Sequence, residues 1–150
     1  MEKRYRVRRA RPGDLDRIEQ IERASFGRDA YDRKLFAELH RTCGELFLVV
    51  EHKRRVCGYM VTCRRGESPR AELVSVAVDP AARRHGAASV LLESTLRRLR
   101  RRRAARLGLM VKVTNRAARR FYEKYGFSKI RRVSRYYEDG ADGVWMAREV

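Results

Sequence analysis

Residues 71–93, AELVSVAVDPAARRHGAASVLLE, pass from an apolar run through a loop of small and basic residues into a helical pattern. The run LVSVAV is almost continuously apolar, which predicts a strand buried on both faces, and Pro80 ends it. Over 84–103 the positions Val90, Leu91, Leu92, Leu96 and Leu99 recur at helical spacing. ARLGLMVKV, residues 105–113, reads as a strand again, so the centre of the chain is a strand-helix-strand unit.

Working outward, YRVRRA (5–10) alternates as a short strand ending at Pro12-Gly13. A helix follows, with Asp14 as N-cap and Leu15, Ile18, Ile21, Glu22 and Ala24 on one face. A glycine-centred loop leads to a second helix through Leu35, Phe36 and Leu39. ELFLVVEH (45–52) and RVCGYMVTCRR (55–65), separated by Lys53-Arg54, form an antiparallel hairpin. Asn115 caps a helix carrying Ala118, Phe121, Tyr122 and Tyr125, and Gly126 stops it. Residues 127–150 close as a hairpin turning at 139–143. The expected fold is a single α/β domain over 1–150, with a mixed, mostly antiparallel sheet of about seven strands flanked by about four helices.

The net charge of +18, from 37 Lys+Arg against 19 Asp+Glu, attracts polyanions such as nucleic acid, a ribosomal surface or a phosphorylated cofactor. The arginine excess fits surface ion-pair networks equally well. Cys43, Cys57 and Cys63 are odd in number and lack zinc-site spacing, so a reducing, cytoplasmic setting is expected and no metal. No apolar run approaches the roughly 20 residues that span a bilayer, and MEKRYRVRR has no apolar region after it, so neither membrane contact nor a secretory signal is expected.

The loop DPAARRHGAAS delivers the chain to a helix N-terminus, where backbone N–H groups lack intrahelical acceptors and carry partial positive charge. Gly86, Ala87 and Ala88 let that backbone approach a phosphate, and Arg83, Arg84 and His85 add donors beside it. Tight packing of the helix on a sheet would select the same small residues. Neither G-x-x-x-x-G-K-[ST] nor the full G-x-G-x-x-G is present.

The loop RRHGAA resembles the [QR]-x-x-G-x-[GA] motif of the GCN5-related N-acetyltransferases, following a strand ending in VAVDP as in that family. TNRAARRFYEKYGF is similar to the family's Asn…FYEKxGF segment after the next strand, and the likeness covers nearly the whole chain. RYYEDGADGVWMAR resembles the ribosomal-protein-alanine and archaeal protein N-terminal acetyltransferases. The resemblance implies a GNAT-like domain using acetyl-CoA as cosubstrate. The pyrophosphate would rest on backbone N–H groups of Arg84, His85, Gly86, Ala87, Ala88 and Ser89. The pantetheine arm would pair with Val76, Ala77 and Val78 where two strands splay, and Asn115 matches a further CoA-contacting position.

Acetyl transfer to an amine needs a neutral amine, a polarised thioester and a proton for the departing thiolate. Tyr122 stands at the family's acid position, although an amphipathic helix would bury such a ring in any case. Bacterial relatives carry a base Glu in a segment like LEVRASN; here LMVKVTN puts Met110 there, and Met accepts no proton. Glu72, where some archaeal relatives carry a His, is the replacement by position; His85 faces the pyrophosphate and suits the role poorly. A neutral amine at pH 7 costs roughly 1 kcal/mol from an α-amine and about 4.6 from Lys, so a weakened base favours protein N-termini. The acceptor is expected between Phe26 and Tyr31 on one side and Tyr136 and Tyr137 on the other.

Arg97 to Arg106 includes seven arginines and is read first as a charged helix end complementing the dipole, with docking to the ribosome or another polyanion as the alternative. Three functions follow: a protein N-α-acetyltransferase, a lysine or small-amine acetyltransferase, and a basic polyanion-binding module whose chemistry is weakened at Met110.

Overall fold

The computed structural model describes residues 4–83 and 86–150. Its strands are β1 (Arg6–Arg9), β2 (Phe47–His52), β3 (Arg55–Arg64), β4 (Arg70–Val78), β5 (Arg106–Lys112), β6 (Ser128–Val133) and β7 (Gly143–Glu149). The helices are α1 (Leu15–Phe26), α2 (Arg33–Cys43), α3 (Ala87–Arg101) and α4 (Arg116–Lys124). One sheet runs β1-β2-β3-β4-β5-β7-β6, antiparallel except for β4 beside β5. This is the expected mixed sheet with four helices.

Two cores sandwich the sheet. Ile18 and Ile21 of α1 and Phe36 of α2 pack on one face with Phe47, Val49, Tyr59 and Val61. Leu91, Leu92, Leu96 and Leu99 of α3 and Tyr122 of α4 pack on the other with Leu48, Met60, Leu107 and Leu109. Alternation along β2 and β3 sends successive apolar residues to opposite faces, so these central strands are buried on both.

The run in β4 is buried on both faces, as expected, with Ala77 against the α1 side and Leu73 and Val78 against the α3 side, but a bulge interrupts it. Val61 pairs with Ser75 but Thr62 with Leu73, leaving Val74 as a bulge. Ala71, Leu73, Val76 and Val78 consequently all face the α3 side. The continuous apolar pattern therefore contains a switch of parity, and Glu72 before the bulge is exposed.

Asp14 precedes α1 as expected but gives it no side-chain cap. Its carboxylate accepts instead from Arg11 N at 2.7 Å and pairs with Arg8 at 2.8 Å, because its own backbone is already helical. Ala24 is exposed rather than on the buried stripe. Cys43, ending α2, forms a disulfide with Cys63 of β3, so the cysteines lend no support to a reducing setting; the two elements converge to a Cα–Cα distance of 5.1 Å, within bridging range. Among the described residues no helix is long and apolar enough to cross a membrane.

Candidate active site

The loop before α3 has the form of an anion cradle. Gly86 takes φ +91, a left-handed conformation suited to glycine, and among the described residues beyond its chain neighbours no heavy atom lies within 4 Å of where a Cβ would stand. The first helical bond runs from Val90 N to Gly86 O, so the N–H groups of Ala87, Ala88 and Ser89 have no intrahelical acceptor. Ala87 is buried against the core, which shows that the small residues also serve packing. Arg83 turns to the protein, donating to Val78 O at 3.2 Å and Ser25 Oγ at 2.9 Å. The expected contributions of Arg84 and His85 fall outside the described residues.

Between this cradle and the sheet lies a split. β4 and β5 pair only at Arg70↔Arg106, Ala71↔Leu107 and Glu72↔Gly108. Beyond the bulge Val76, Ala77 and Val78 keep their β3 partners Met60, Tyr59 and Gly58 but have no partner in β5. Their main chain thus offers an open edge where an extended amide-bearing arm could add as a strand. Asn115 caps α4, its Oδ1 accepting from Ala118 N at 3.1 Å, so that oxygen is committed to the fold.

Tyr122 rises from α4 on the α3 side of this split. Its ring is 6% exposed and packs edge-on against Phe121 and Phe127, each 5.4 Å away between centroids. The hydroxyl makes no hydrogen bond with the described residues, and it is not among their buried unsatisfied atoms. Burial, and then the nearby Tyr137, push its pKa up, so the phenol keeps its proton at neutral pH.

Glu72 stands on the opposite face, since its neighbours Ala71 and Leu73 point toward α3. Desolvation raises its carboxyl above the ordinary value even though the residue as a whole is exposed. Tyr31 in the α1–α2 loop is within electrostatic range of Glu72, Glu22 and Tyr136. Tyr136 and Tyr137 pack edge-to-face at 5.0 Å, and burial first, then Tyr136, Tyr31 and Asp139, push Tyr137 up to about 12. Lys112 of β5 lies 5.2 Å over the Tyr137 ring and pairs with Asp139 at 2.8 Å, fixing the loop before β7. Tyr31, Glu72, Tyr136 and Tyr137 are therefore brought together. Phe26 is exposed, with no ring contact to them among the described residues.

Trp145 and Glu22 were given no part in the site from the sequence. Trp145 of β7 lies across Gly108, where an added Cβ would meet its Cζ2 at 2.3 Å. Met110 pairs with Trp145 and packs so closely on Gly143 that a Cβ there would meet its Sδ at 2.7 Å. Glu22 of α1 is 2% exposed and accepts from Tyr31 N at 3.0 Å and from the Tyr59 hydroxyl. Tyr59 in turn meets Ser75 Oγ at 2.8 Å. One buried carboxylate thus joins the acceptor-side loop to the residue after the β4 bulge. A carboxylate in the apolar stripe of α1 was the available signal.

A model of the acetyltransferase (GNAT) family matches residues 15–127. The N-alpha-acetyltransferase of Saccharolobus solfataricus is 32% identical over 155 residues, covering 96% of this chain and 92% of the relative. The crystal structure of Ard1 from Thermoplasma volcanium superposes with a TM-score of 0.92 at 30% identity, covering 97% of each chain. The ribosomal-protein-S18-alanine N-acetyltransferase of Escherichia coli gives 0.86 at 27% identity, covering 98% of this chain and 94% of that one. The chain belongs to the GNAT family of acetyltransferases.

Proposed function

We propose that this protein is an N-α-acetyltransferase that acetylates the free N-terminal amine of a protein or peptide by direct attack in a ternary complex. The observation that carries the reading is the placement of Tyr122 and Glu72 on opposite faces of the β4/β5 split, so that an acid and a base address one reacting centre from two sides. Acetyl-CoA, when bound, supplies the thioester carbonyl that an amine attacks. The unpaired N–H groups of Ala87, Ala88 and Ser89 suit its pyrophosphate and the open edge at Val76–Val78 its amide arm. Asn115 caps α4 through its oxygen, leaving its amide N–H groups to face a ligand.

Glu72 takes the proton of the attacking amine, directly or through a water; Met110, where bacterial relatives of the ribosomal-protein type carry Glu, accepts none. Tyr122, held neutral by burial, donates to the leaving sulfur as charge develops. Tyr31, Tyr136 and Tyr137 flank the acceptor, with Phe26 at the outer rim. An α-amine, with a reference pKa near 8, loses its proton at a cost of roughly 1 kcal/mol at pH 7, against about 4.6 for Lys. A single carboxylate base therefore has less to supply for the former. The names of the relatives, which include N-alpha-acetyltransferases, favour the same acceptor class.

CoA release measured with peptides whose N-termini are free or formyl-blocked tests the reading. Turnover is expected only with the free α-amine. Equal turnover of blocked, lysine-containing peptides would overturn it in favour of lysine acetylation.

A further inference from the structure

At the end of α3 remote from the cradle, a cavity of about 610 Å³ opens between the last turn of α2, the end of β3 and the α3 C-terminus. Helical rise over the 15 residues of α3 puts it about 22 Å from the N-terminal N–H groups. Arg9, Arg41, Arg64 and Arg102 line it, against Glu45 and Glu67. Arg102 pairs with Glu45 at 3.2 Å, and Arg41 pairs with Glu38, which is not part of the lining. Arg64 spends its donors on two neutral carbonyls, Ser68 O at 2.6 Å and Arg102 O at 2.8 Å. Arg9 makes no ion pair among the described residues.

Two guanidiniums therefore face the cavity without a carboxylate partner. Thr62 also lines it, with a buried hydroxyl that has no hydrogen-bond partner among the described residues. Crowding of like charge is evident at Arg98, whose pKa is lowered by burial first and then by Arg102, Arg101, Arg9 and Arg97. Exposed Arg97, Arg100, Arg101 and Arg103 continue the cationic surface beyond the cavity mouth. An isolated small anion would leave those outer charges unanswered, whereas a chain of phosphates would meet both. The planar guanidinium fork is suited to phosphate oxygens.

We propose that this cavity is a phosphate site for a nucleic-acid backbone, with Arg9 contacting the strand, Arg41 exchanging its exposed and therefore weak pairing with Glu38 for a phosphate, and the exposed arginines at the end of α3 following it. The site is separate from acetyl transfer and stands whether or not the α-amine reading holds.

Fluorescence anisotropy of a labelled single-stranded RNA with the full chain, titrated with salt, tests it. Arg9→Gln with Arg41→Gln should weaken binding about 25-fold at 0.1 M salt and reduce the log–log salt slope by about 1.4, the loss of two phosphate contacts. Lys129→Gln with Arg131→Gln on the exposed β6 edge removes the same charge and should change affinity little. Peptide acetylation by the Arg9/Arg41 variant should equal that of the parent. Equal losses from both charge pairs would overturn the proposal by showing a diffuse effect of net charge. Failure to bind RNA while inorganic phosphate binds would overturn the nucleic-acid occupant.

Discussion

Glu72 lies directly opposite Gly108, and the parallel pairing of β4 with β5 ends at that pair. The carboxylate therefore stands at the vertex of the split, on the face that carries Tyr31. If it is the base, its burial-raised pKa moves the acid limb of kcat/KM to higher pH than an exposed Glu would give, because only the ionised form accepts a proton. Glu72→Gln should lower kcat on the order of 10²-fold and abolish that limb, leaving the titration of the amine itself. A pH–rate profile identical to the parent's would remove Glu72 from the mechanism.

Tyr122→Phe separates chemistry from packing. The ring's contacts with Phe121 and Phe127 survive the change, and the lost hydroxyl holds no hydrogen bond with the described residues. The melting temperature should stay near the parent's while kcat falls on the order of 10²-fold. An unchanged kcat would show that the leaving thiolate is protonated elsewhere.

Gly108→Ala should destabilise the fold by about 1–3 kcal/mol in urea denaturation through overpacking. The new methyl would stand 2.3 Å from Trp145 Cζ2, and the indole has to move off the strand to admit it. Since Trp145 lies beside Met110 in register, peptide KM should rise with it. Full stability with normal KM would mean that Trp145 is free to shift and does not shape the acceptor side.

Glu22 gives a pH-dependent stability of definite sign. Desolvation is the largest influence on it and raises its folded-state pKa above the ordinary Glu value, despite opposing hydrogen bonds from Tyr31 N, Tyr59 and Ser75. Its contribution to folding is therefore fully present below the unfolded pKa and is lost as pH rises through the folded one. The melting temperature of the parent minus that of Glu22→Gln should fall as pH rises above the ordinary Glu range. A difference that rises with pH there would mean the hydrogen bonds outweigh desolvation.

The strand-helix-strand unit, the 45–65 hairpin and the C-terminal hairpin were legible because apolar spacing and turn signals agree in those segments. Local patterning also located the α3 cradle and the helix bearing Tyr122. The bulge at Val74 was hidden, since it converts an alternating pattern into a continuous one that also describes a strand buried on both faces. Asp14 misled because its N-cap position says nothing of Arg8, which reaches it from another element. The Cys43–Cys63 bridge, the Glu22–Tyr59–Ser75 link and the Trp145–Gly108 contact all join residues distant in the chain, and no local periodicity encodes them.

The central claim, transfer to an α-amine, is tested most directly by locating the acetyl group. A peptide carrying both a free N-terminus and an internal lysine would be incubated with acetyl-CoA and sequenced by tandem mass spectrometry. The acetyl group is predicted on the α-nitrogen, with the lysine unmodified; modification of the lysine alone would contradict the account.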